Sequence, residues 1–140
     1  MSELTPYVDT RSHSDVFRLI DEGNEEALWK ISELNTRMPN TGMTPLHWAL
    51  EHGKRQIARD LILRRVDVNV QDKFGWTPLM LASQVGFDEI VQDLLDKKAD
   101  LELKNNKGNT ALYIAKVNGR NNVISMLESV GTICDRTRPV

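Results

Sequence analysis

The chain has 140 residues, 40% hydrophobic and 27% charged, a balance that suits one compact domain or one short array and argues against wholesale disorder. Its net charge of −2 comes from 18 basic and 20 acidic residues scattered among one another, so there is no electrostatic footprint for nucleic acid or an anionic membrane. The single cysteine, Cys134, excludes an intrachain disulfide and supplies too little sulfur for a structural zinc site; a half-buried thiol is expected there rather than a nucleophile.

Taken in order, residues 1–13 are polar and unpatterned and read as a loose tail. The opening Met1-Ser2-Glu3-Leu4-Thr5-Pro6 has neither a basic start nor an apolar run, so no secretory signal is expected. No window reaches ~18 apolar residues, the length a membrane span needs. There is no Asn-x-Ser/Thr acceptor site, and a reducing compartment, cytoplasm and/or nucleus, is expected.

Ser14-Asp15 can cap a helix carrying Val16, Phe17, Leu19 and Ile20, and Gly23 ends it in a tight turn. A second helix opens on Glu25-Glu26, acids favoured at its positive end, and presents Ala27, Leu28, Ile31 and Leu34 on one face. Residues 14–38 thus read as a degenerate repeat or N-terminal cap.

The next stretch, Thr44-Pro45-Leu46-His47-Trp48-Ala49, returns 33 residues later as Thr77-Pro78-Leu79-Met80-Leu81-Ala82, and 33 later again as Thr110-Ala111-Leu112-Tyr113-Ile114-Ala115. Gly42, Gly75 and Gly108 keep the same step ahead of the block, and Gly53, Gly86 and Gly119 behind it. So many matches in one register identify an array, with units at 39–71, 72–104 and 105–134 and a tail at 135–140. In each unit threonine caps a first helix, and proline, where present, occupies its first turn, where the missing N–H costs nothing. After the second glycine come apolar residues at helical spacing: Ile57, Ala58, Leu61, Ile62, then Ile90, Val91, Leu94, Leu95, then Val123, Ile124, Met126, Leu127. The small Ala49, Ala82 and Ala115 let paired helices approach closely. A single pair cannot bury both faces, so each unit depends on its neighbours.

The 33-residue period and the Thr-Pro-Leu-His-x-Ala block resemble the ankyrin repeat over residues 39–134 and, with the first helix pair, over about 14–134. The resemblance implies an all-α solenoid of antiparallel helix pairs joined by short β-hairpin-like finger turns. The departures are local. Ala111 replaces proline, Met80 and Tyr113 replace the histidine that His47 retains, and Arg65 and Lys98 stand where the family has a helix-ending glycine. The step from Gly23 to Gly53 is 30, three short, so the junction at 35–41 is irregular.

For His47 the resemblance implies a structural role, hydrogen bonding to backbone at a turn; His52 is expected on the inner surface, and His13 falls in the tail. No His, Cys and acid cluster has metal-ligand spacing, and there is no phosphate loop or nucleophile elbow. The pairs Glu25-Glu26 and Asp88-Glu89 are explained by helix dipoles. Neither an enzyme, a cofactor nor a metal is expected.

In the resembled family, finger tips and the exposed side of each first helix form a concave binding face. The matching positions are Met43 in the first full repeat, Lys73, Phe74 and Trp76 in the second, and Asn106, Lys107 and Asn109 in the third. The ends of the first helices supply Glu51 and His52, Gln84 and Val85, and Val117 and Asn118. Phe74 and Trp76 flank a turn glycine, and aromatics on a rigid scaffold dominate interface energetics. Trp48 fits either packing between repeats or a place in the groove, and Trp29 fits either an outer face or a cap on the stack. Asn69, with Leu61 eight before it and Asp67 two before it, resembles repeats that are asparagine-hydroxylated, although pinning a turn is the ordinary job at this position. The expected function is protein–protein recognition by a monomer as adaptor, inhibitor or assembly chaperone, without nucleic acid or membrane. A subunit held permanently in a larger complex is the alternative, and an enzyme would need a pocket with convergent ionisable groups.

Overall fold

A computed structural model describes residues 16–31, 34–64 and 66–137, with side chains through residue 130. Among these residues the chain is helical and contains no strand, so the fold is all-α. It divides into two compact units, residues 1–67 and 68–140. Ser14, Asp15, His13 and Arg65 lie outside the described residues, as does the side chain of Cys134.

The first unit opens with α1 (residues 16–22), which buries Val16, Phe17, Leu19 and Ile20. Gly23 turns the chain at φ 72°, and α2 (Glu25–Leu28) follows, its Asn24 cap accepting a hydrogen bond from the Ala27 N–H. The expected second helix through Leu34 is therefore cut to a single turn. Leu28 is buried, but Trp29 and Lys30 already form the exit turn. Then come α3 (Pro45–Glu51) and α4 (Arg55–Leu63), which pack on each other through Leu46, Ala49 and Leu50 against Ile57, Ala58, Leu61 and Ile62.

The second unit holds α5 (Pro78–Val85), α6 (Asp88–Asp96), α7 (Ala111–Val117) and α8 (Asn121–Thr137). Within it α5 packs on α6 and α7, and α8 packs on α6 and α7, around buried Leu79, Ala82, Ile90, Leu94, Ala115 and Val123. Apart from α8, these helices have seven to nine residues, too short to persist alone in water. Their stability is tertiary. α8 has 17 residues and continues to Thr137, past the boundary expected at residue 134.

The repeated threonines do the same work three times. Thr44, Thr77 and Thr110 each sit in extended backbone and accept from the N–H three residues ahead, of His47, Met80 and Tyr113. The cap forms without the proline in the third copy, because the hydroxyl rather than the ring satisfies the open N–H.

The irregular junction has a local cause. In the second and third fingers a turn is closed between Asp72 and Trp76 and between Asn105 and Asn109, at 3.0 Å each. In the first it is closed between Met38 and Met43, at 2.9 Å, so that finger is one residue longer. The exit asparagines mark the rest. Asn35 accepts from the Asp67 N–H at 2.9 Å, and Asn69 accepts from the Asp100 N–H at 2.8 Å. Four residues fewer between Gly23 and Asn35 than between Gly53 and Asn69, and one more in the finger, together make the short step of 30.

Candidate functional site

In the second unit the finger turns are built by short polar side chains. The Asp72 carboxylate accepts from the N–H of both Phe74 and Trp76, at 2.9 Å each, and the Asn105 carbonyl oxygen does the same for Lys107 and Asn109, at 2.9 and 3.1 Å. In the first finger Met38 occupies this place and has no such acceptor. Thr41 Oγ1 takes the Met43 N–H instead, at 3.3 Å.

Fingers two and three are locked edge to edge. The Asn106 N–H donates to the Phe74 carbonyl at 3.0 Å, and its side-chain amide donates to the Lys73 carbonyl at 3.0 Å. Gln71 donates to the carbonyls of both Gly75 and Lys104. Gly75 sits where the two fingers touch. Its φ is +82°, and a Cβ there would lie 2.8 Å from Asn105 Cα and from the Asn106 backbone nitrogen. At the far end of the helices Arg120 Nε donates to the Gln84 carbonyl, and Asn122 donates to the Asp88 carboxylate.

Between these locked parts lies a groove of about 510 Å³. Phe74 and Trp76 form one wall and Asn105, Asn106, Lys107 and Asn109 another; Gln84 and the α7 residues Tyr113, Ile114, Val117 and Asn118 complete it. Eight residues expected on the binding face meet here: Phe74, Trp76, Gln84, Asn106, Lys107, Asn109, Val117 and Asn118. Phe74 and Tyr113 are each 53% exposed, whereas Trp76 is half-buried. Lys73 stands beside the groove with its ammonium 5.4 Å from the Phe74 ring centroid, and Val85 is exposed at the end of α5 but does not line it.

Tyr113 is the residue that sequence reasoning passed over as a site. It shares its register with His47 and Met80, which are fully buried, so the repeat itself argued for a core position. A phenol with a polar tip at that position was the available signal, since it is the type that sits half in water.

In the first unit the expected positions behave differently. Met43 is only 7% exposed, which corrects its expected place among accessible contacts. Glu51 and His52 are exposed. Trp48 packs on α1: its indole N–H donates to Asp21 at 2.8 Å and its ring meets Phe17 edge-on at 5.5 Å. The His52 ring lies 4.2 Å from the Trp48 ring, and its Nδ1–H donates to the Trp48 carbonyl at 3.0 Å. Trp29 is half-buried and carries the Arg64 guanidinium 4.1 Å above its ring, so it covers the end of α4.

His47 is fully buried, and its Nδ1 accepts from the Thr44 N–H at 3.2 Å, leaving the ring's donor at Nε2. Asn69 holds the Asp100 N–H through its carbonyl oxygen, the turn-pinning job its position implies. Among the described residues no three His, Cys, Asp or Glu side chains gather as metal ligands, and no helix is long and apolar enough to cross a membrane.

Comparison with known proteins agrees with this architecture. The family model described as ankyrin repeats, in three copies, matches residues 53–137. No curated protein matches the chain. Ankyrin repeats generally mediate protein–protein interaction and are typically non-catalytic. With its 33-residue period, its threonine-capped helices and that match over more than half its length, the chain belongs to the ankyrin repeat family.

Proposed function

We propose that this chain is a non-catalytic recognition module that holds a partner protein in the groove of its second unit, as an adaptor, inhibitor or assembly chaperone. One observation carries the reading. Two half-exposed aromatics, Phe74 and Tyr113, flank a groove whose two fingers are tied to each other by hydrogen bonds. A rigid, prebonded wall loses little conformational entropy when a ligand arrives, and exposed aromatics are the side chains that concentrate binding energy. Trp76, Asn106, Lys107 and Asn109 shape the contact, while Gln84 and Asn118 bound it at the helix ends.

The test is the double substitution Phe74→Ala with Tyr113→Ala. Both side chains are half in solvent, so the thermal melt should move by no more than the equivalent of about 1 kcal/mol. Capture of the native partner should fall by at least about tenfold, the ordinary effect of removing interface aromatics. Undiminished capture by a folded double variant removes the groove from the binding face.

A further inference from the structure

The groove carries a charge as well as an apolar wall. Among the described residues that line it there is no carboxylate, and its one charged lining residue is Lys107. Lys73 stands next to it, its ammonium 5.4 Å from the Phe74 ring centroid. Neither ammonium makes an ion pair with a carboxylate among the described residues, and the carboxylate next in sequence to Lys73, Asp72, is turned to the N–H groups of Phe74 and Trp76. The Tyr113 hydroxyl and the side-chain amide of Gln84 likewise have no partner among the described residues. An almost neutral chain has thus placed two ammonium groups without an ion-pair partner, together with free donors, around an aromatic wall.

We infer that the occupant is an acidic peptide segment of the partner, with one aromatic or branched apolar anchor flanked by carboxylates. The anchor would lie against Phe74, Tyr113 and Val117, and the carboxylates would reach Lys73, Lys107 and the Tyr113 hydroxyl. Charge complementarity of this kind selects among partners and speeds encounter more than it adds affinity. The carbonyls of Lys73, Phe74 and Gly75 in the second finger already accept from Asn106 and Gln71, so recognition on that finger falls to side chains rather than to β-strand addition. This rests on the groove being the binding face, as proposed above.

The experiment selects a displayed library of random short peptides against the full chain, with the Phe74→Ala/Tyr113→Ala variant as the counter-target. Enriched peptides are then titrated as synthetic fluorescent peptides against the wild type and a Lys73→Glu/Lys107→Glu variant. Sequences pairing Asp and Glu with an apolar anchor should dominate. The charge-reversed variant should bind them about threefold to thirtyfold more weakly, the range expected for two exposed ion pairs, and less so at high salt. Both lysines are exposed, and an unchanged melt checks the variant's fold. Groove-dependent enrichment of neutral or basic peptides, or indifference to charge reversal, overturns this inference and leaves the groove as the site. Selection of nothing that depends on Phe74 and Tyr113 overturns both.

Discussion

At the scale of single residues, glycines in identical register have unequal weight. Gly75 and Gly108 share left-handed backbone, at +82° and +80°, yet a Cβ on Gly75 meets the backbone of the next finger and one on Gly108 meets nothing within 4 Å. Gly108→Ala therefore bears only the left-handed penalty, about 1 kcal/mol, whereas Gly75→Ala adds a clash with backbone that cannot swing aside and costs at least about 2 kcal/mol. Urea titration of the two variants measures the difference, and equal midpoints would contradict the contact. The same reasoning explains Met43. Position alone put it beside Trp76, but the extra residue in its finger and its 7% exposure make it part of the interior. Ser83 shows the opposite case. It is buried in α5 without a hydrogen-bond partner among the described residues, and nothing in the structure explains a hydroxyl there.

At the scale of elements, α6 ends without the glycine its family pattern supplies. The chain still makes the motif: Lys98 adopts φ 62°, its N–H reaches the Leu95 carbonyl at 2.9 Å, and the Ala99 N–H reaches the Leu94 carbonyl at 3.0 Å. This is the paired closure of a Schellman end, with Ala99 buried beside Leu94. Lysine pays a steric penalty in that conformation that glycine does not. Lys98→Gly should raise stability by about 0.5–1 kcal/mol without touching the groove, read as a higher thermal midpoint with unchanged peptide affinity. The departure was visible in the sequence as a missing glycine; that the helix would keep its cap geometry and absorb the strain was not. Helix lengths were less legible. Apolar spacing through Leu34 suggested a full α2, but four residues are helical there, because spacing cannot show where tertiary contacts stop supporting a turn.

For the whole molecule, the core and the groove draw on largely different residues. Leu94 is fully buried within the second unit, and Leu94→Ala should cost about 3 kcal/mol in chemical denaturation, with no change in groove affinity for the fraction that remains folded. A parallel loss of affinity would show that the groove is coupled to the core. The period, the capped helix starts, the all-α class and the family were legible from sequence because each is local or repeats: a threonine three residues before the N–H it accepts from, a glycine at each reversal, an alanine at each close approach. Eight groove residues were also legible, by register. Tyr113 in the groove, Met43 out of reach and Trp48 tied to Asp21 were decided only by tertiary structure. Exposure depends on neighbours about one repeat or more away in sequence, and equivalent positions in an array do not have equivalent neighbours.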